Sequence, residues 1–153
     1  MAAEYLANAE QVVNLNEPIV FTASIPCNCG YIYHEDETGI FILRGIVNNQ
    51  CAENAVYRVS YNGNIAIPTG GAVTPISVAL VVGGEPRPTS RAIITPAAVD
   101  EYGNVTSTAI VKVPRGCCFS LAVEYVSAIT DGVTAPTPTI EVINSNLVID
   151  RIA

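Results

Sequence analysis

The sequence predicts an all-β sandwich or barrel. Apolar and polar residues alternate along many short runs, the runs favour β-branched and aromatic side chains, and Gly, Pro, Asn and Asp punctuate them at roughly 8–12-residue spacing. Helical periodicity is hard to find. A chain of 153 residues makes one domain, able to bury roughly 70% of its unfolded surface.

The opening "MAAEYLANAEQVVNL", residues 1–15, reads as an extended arm with a short helix as the alternative, which leaves 16–153 as the domain. Ile19–Ser24 is the first strand. "CNCG" leads into Gly30–Tyr33, which forms a hairpin with Gly39–Arg44 around "DETG". The loop "NNQCAEN" precedes Ala55–Ile67, and "PTGGAVTP" precedes Pro75–Val82. "GGEPRP" then leads to Arg91–Thr95, "DEYGN" to Asn104–Val113 and "PRG" to Cys118–Ser127. After "DGVTAPTPT" come two short strands, Ile140–Val142 and Asn146–Ile152. "YNGN" at Tyr61–Asn64 has the residue types of a two-residue hairpin turn, or else marks a glycine bulge inside one long bent strand.

Side-chain alternation sorts the faces. Phe119, Leu121, Val123 and Tyr125 share one side, and Tyr57, Val59 and Tyr61 oppose Val56, Arg58 and Ser60. "GIFIL" and "LVI" are apolar on both sides, which implies that an outer sheet face is covered. Charge is also short: 14% of residues against about 25% in an average soluble domain. An obligate oligomer explains both. A membrane does not, because runs such as "ISVALVV" fall far below the ~20 residues of a spanning helix. The net charge of −7 and a single lysine, Lys112, argue against nucleic acid. "MAAEYLANAEQ" lacks the cationic start and apolar stretch of a secretion signal, so the expected place of synthesis is the cytoplasm.

The order "NEPIVF", "GYIYHEDETGIFIL", "AVYRVSYNGNIAIPTGG", "VALVVGGEP", "AIVKVPRGCCFSLAVEYVS" and "NLVIDRI" resembles bacterial and phage members of the jelly-roll superfamily of the complement globular head and tumour necrosis factor. The resemblance runs from about Asn16 to Ile152, each piece being loose and the order and spacing specific. The cysteines and the "DGVTAPTPT" loop depart from the pattern. The resemblance implies a two-sheet jelly roll of about ten strands that forms a homotrimer, and it favours the bulge at "YNGN". Carried over by position, it implies a trimer seam at Tyr57, Tyr61, Phe119 and Leu121, the alternative being that these four fill the protomer's own core. It also implies that Cys51 and the turn before Cys117 share one end of the sandwich, which suggests a disulfide from Cys51 to Cys117 or Cys118.

Little in the chain suggests chemistry. Its one histidine, His34, has no "GxSxG" nucleophile to serve, and neither "GG" opens a helix that could hold phosphate. Glu35 and Glu37 sit in an acidic turn and read as solvated. The five cysteines, Cys27, Cys29, Cys51, Cys117 and Cys118, occur as "CNC" and "CC", not as zinc knuckles. The alternative to a disulfide is five buried or half-buried thiols, as suits a reducing cytoplasm. "HEDE" lacks the spaced oxygen ligands of a calcium loop, and the sequon at Asn104 carries no weight without a secretion signal. No cofactor is expected.

These readings point to a non-enzymatic trimeric structural protein of a phage or prophage particle: a capsid decoration protein, head fibre or fibre tip located in the virion. Its expected partners are copies of itself, a capsid or other virion protein reached through the N-terminal arm, and a cell-surface glycan. The alternative is an adhesive module on a bacterial surface or spore coat. A cupin-type enzyme would need several histidines.

Overall fold

A computed structural model of the chain describes residues 1–26 and 30–153. The strands are β1 (Ala2–Ala7), β2 (Gln11–Asn14), β3 (Ala23–Ile25), β4 (Ile32–His34), β5 (Phe41–Arg44), β6 (Asn54–Ala66), β7 (Ile76–Val82), β8 (Glu85–Pro86), β9 (Ala92–Ile94), β10 (Gly103–Pro114), β11 (Cys118–Ser127) and β12 (Thr139–Arg151). A 3-10 turn at Pro88–Ser90 is the only helical element among the described residues. Sheet I has the order β10-β6-β12-β1-β3, with β2 also paired to β12. Sheet II has the order β4-β5-β11-β7-β8, with β9 also paired to β7. All strand pairs among the described residues are antiparallel, and the architecture is the two-sheet jelly-roll sandwich.

The core forms where the inward rows of the two sheets meet. Tyr57, Val59, Ile65, Leu147 and Ile149 from sheet I face Phe41, Leu43, Val78, Leu80, Leu121 and Tyr125 from sheet II, all at 0% exposure. Around Phe41 the rings of Tyr5 and Phe21 stand edge-on at 4.5 and 5.6 Å, while His34 stacks at 4.4 Å. Such aromatic pairs contribute about 0.5–1.5 kcal/mol beyond their buried area.

The first fifteen residues are not a free arm. All six residues of β1 pair with β12, from Ala2 opposite Asp150 to Ala7 opposite Ser145, and β3 closes on the other edge. Ala3, Tyr5 and Ala7 are buried, and β2 adds a second patch of pairing to β12. A segment held by two strands cannot reach out to a shell, so docking through an N-terminal arm has no structural basis. Alanine is a poor strand former, and "MAAEYLA" hides its alternation behind small side chains.

The C-terminal strand is single rather than split. Ile143 pairs with Asn64 and Asn146 with Asn62, so Asn144 and Ser145 together oppose Gly63 alone. Asn144 takes φ 54° there, a left-handed conformation that asparagine tolerates better than most residues. β6 is one long strand, as the bulge reading of "YNGN" required, but the bulge itself lies in β12.

Candidate functional site

The four residues expected at a trimer seam do not form one surface. Tyr57, Tyr61 and Leu121 point into the protomer and are at most 2% exposed, so no partner can touch them. The Tyr57 hydroxyl reaches the carbonyls of Arg44 (2.5 Å) and Tyr31 (3.1 Å). Tyr61 shares a 3.0 Å hydrogen bond with Ser145, and burial pushes its phenol up to about 12 against that bond's opposite pull. Phe119 is half-buried against the same core, and β11 belongs to sheet II, away from β6. The physical reason is generic: large aromatics on an amphipathic strand go to the core first.

The opposite side of the same strands is a candidate surface. On the outer face of sheet I, neighbouring strands align Ala2, Asp150, Arg58 and Ile110 in one row. The next row is Ile25, Glu4, Val148, Ser60 and Thr108, and the next is Ala23, Leu6, Asn146, Asn62 and Thr106. Arg58 and Asp150 neutralise one another at 2.9 Å. Glu4 accepts from the Asn146 amide. The Asn104 amide donates to Asn62 (2.7 Å) and Asn64 (3.2 Å). The middle of the face carries one carboxylate, Glu4, among amides, hydroxyls and half-buried aliphatics such as Leu6 and Val148. Its signal was present in the sequence as Ser, Thr and Asn, with few charges, opposite the aromatic rows.

One end of the sandwich holds a second feature. A depression of about 330 Å³ opens between Met1, Tyr31, Val47, Asn48, Arg151 and Ile152. The Arg151 guanidinium lies 4.5 Å from the Tyr31 ring centre and 5.4 Å from that of Tyr57. It donates to the carbonyls of Ile46 (2.6 Å) and Ala153, and its Nη1 has no partner among the described residues.

No disulfide joins Cys51 to Cys117 or Cys118: the three thiols are free, but exposed rather than buried or half-buried. Their loops do share this end. Arg115 donates through Nη2 to the Asn49 carbonyl (2.7 Å) and through its backbone to Glu53 (2.9 Å), and Gly45 donates to Cys117 (2.8 Å). Cys27 and Cys29 lie outside the described residues.

His34 has a structural place, with Nε2 2.9 Å from the Thr38 carbonyl. Glu35, Asp36 and Glu37 are exposed in the loop after β4. At the opposite end from the cysteines, the Tyr102 hydroxyl donates to Glu10 at 2.9 Å and approaches Glu141 at 3.5 Å. Partial burial raises the Glu141 carboxyl above its ordinary value, and Glu10 and Asp100 add to the shift.

Solved structures with this architecture include the globular domain of zebrafish complement 1qA, with a TM-score of 0.64 and 12% identity over 99% of this chain and 97% of that one. The Eiger TNF structure from S. frugiperda gives a TM-score of 0.63 and 13% identity, covering 100% of this chain and 92% of that one. Murine APRIL gives 0.59 and 10% identity, covering 99% of this chain and 98% of that one. No protein-family model matches the sequence, and no curated protein matches it. The fold is that of the complement-head and tumour-necrosis-factor jelly rolls.

Proposed function

We propose that the chain is a non-enzymatic module that works as a homotrimer, with the outer face of sheet I turned to the threefold axis. Complement-head and tumour-necrosis-factor proteins of this fold form homotrimers. The observation that carries the reading here is how little charge this face carries. A sheet face left to solvent is normally rich in charge, yet this one cancels Arg58 with Asp150 and holds a single carboxylate, Glu4, among Asn146, Asn62, Ser60 and Val148 at its centre. Only 14% of the whole chain is charged, which suits a surface that partners cover. Light scattering after size exclusion tests the assembly. A mass near three times 16.1 kDa is expected, and a stable monomer at micromolar concentration would refute it.

Within that reading, the assembly is a structural or attachment component of a phage or prophage particle, as the apolar composition of a permanently assembled protein supports. Contact with the particle is made by an exposed face or end of the trimer. Quantitative mass spectrometry of purified particles from the source tests this, and absence of the chain would end it. An adhesive module of a bacterial surface is the second reading, and the depression beside Arg151 favours it, being concave, largely apolar and furnished with a few polar groups. Surface labelling of intact cells separates the two.

A further inference from the structure

We propose that the end of the sandwich carrying Cys51, Cys117 and Cys118 is a thiol–disulfide exchange site that takes anionic disulfides. Free cysteine is among the most buried residue types. Three free cysteines are nonetheless exposed here, Cys51 in one loop and Cys117 and Cys118 where the neighbouring turn enters β11. Those loops are fixed to each other: Gly116 donates to the Gly45 carbonyl (3.0 Å), Gly45 to Cys117 (2.8 Å) and Arg115 to Asn49 (2.7 Å). Cys51 is set by its own turn, its backbone N–H donating to the Asn49 side chain at 2.9 Å. The thiols are thus presented by an ordered surface.

Arginines neighbour them in register and in sequence. Arg44 stands directly opposite Cys118 across the β5–β11 pairing, and both are exposed. Arg115 is two residues before Cys117, and Arg151, which donates to the Ile46 carbonyl, is at the same end. The acids there are Glu53, Asp150 and Glu85, and Asp150 is already engaged by Arg58 and the Met1 amine. Reactive cysteines characteristically occupy exposed, electropositive positions of this kind, whereas structural thiols are buried and inert. In the exchange, a cysteine sulfur that has given up its proton attacks one sulfur of the incoming disulfide. A new S–S bond forms, the old one breaks, and the leaving sulfur takes the electron pair and the proton. The cysteine is oxidised and half of the disulfide leaves reduced as a thiol, so no other oxidant is needed. A partner bearing an acidic, accessible disulfide would be joined covalently at this end.

The test compares glutathione disulfide, which is anionic, with cystamine, which is cationic, on the folded chain at low salt. Peptide mapping reports each cysteine separately. Each rate is divided by that of the same reagent with the urea-unfolded chain, which cancels intrinsic reactivity and the net charge of −7. The proposal expects Cys51, Cys117 and Cys118 to react in the folded protein, with the anionic reagent favoured roughly threefold and the preference fading by ~0.5 M salt. Arg44→Gln should reduce the preference at Cys118. Protection of the three thiols until unfolding overturns it, and so does an equal or greater normalised rate for the cationic reagent.

Discussion

The phenol of Tyr61 lies over Gly63, two residues along the same strand, where any side chain would stand. A Cβ built on Gly63 collides with the Tyr61 hydroxyl and ring edge, and it lies 3.2 Å from Ser145 Oγ. Both residues face the core, and the hydroxyl passes over the glycine to Ser145 in the bulge of β12. Glycine is required here for space and not for an unusual φ. Gly63→Ala should destabilise the protomer by about 2–4 kcal/mol, through overpacking and loss of a buried hydrogen bond. Adding Tyr61→Phe removes the colliding oxygen. The double variant should therefore be less destabilised than the sum of the single ones, a coupling that urea unfolding measures directly. Strict additivity would show that the contact is unimportant.

This pair also explains what could be read from the sequence. "YNGN" carries the composition of a hairpin turn, but its glycine makes room for a tyrosine. The extra residue it seemed to announce sits across the sheet at Asn144–Ser145. Local composition reports that something small is needed and cannot say what occupies the space. Alternation marked the inward row Tyr57, Val59, Tyr61 and the outward row Val56, Arg58, Ser60 correctly as two faces. Which face meets a partner was not legible, because a core aromatic and an interface aromatic look alike in sequence. The free cysteines were misjudged for a related reason: exposure depends on where a loop ends, and "NNQCAEN" and "PRGCC" do not encode that.

β1 gives the clearest contrast between an arm and a core strand. Tyr5 is 4% exposed and its ring meets Phe41 at 4.5 Å and His34 at 5.0 Å. Tyr5→Ala should cost about 3–5 kcal/mol, as large-to-small core substitutions of aromatics do. A docking arm would lose affinity for its shell and leave the unfolding midpoint unchanged. Chemical denaturation of the isolated protein distinguishes the two.

The assembly reading predicts that outward and inward substitutions on β12 and β6 have separable effects. Val148→Lys places a charge on the outer face of sheet I, beside Ser60 and Glu4. A free protomer should tolerate it. In a closed trimer the longer, charged side chain should overpack the seam and cost about 1–3 kcal/mol per protomer even where Glu4 pairs with it, releasing folded monomers. Tyr57→Ala, by contrast, should lower protomer stability and shift the assembly only through unfolding. Circular dichroism together with light scattering reads both properties. A Val148→Lys protein that remains a full-strength trimer would move the axis to another face.

Glu124 supplies the pH dependence. It lies on the outer face of sheet II, pairs in register with Ala79 and is bridged by Pro18, with no ion pair or side-chain hydrogen bond among the described residues. Burial therefore raises its carboxyl above the ordinary 4.5. With the folded value above the unfolded one, the folded state holds the proton more tightly. The associated stability is fully present below the unfolded value and is lost as pH rises through the raised folded value. At pH 7 the charged carboxylate is thus a burden on the fold. Glu124→Gln should raise the urea midpoint at neutral pH, and the gain should shrink as pH falls towards 4.5 and the parent carboxyl becomes neutral. Glu141 shifts in the same direction and Asp131, held by Thr134, in the opposite one. The difference between parent and variant removes both contributions. A gain that is the same at both pH values would assign the effect to packing, and a loss at neutral pH would mean that Glu124 has a cationic partner, as an assembled surface would supply.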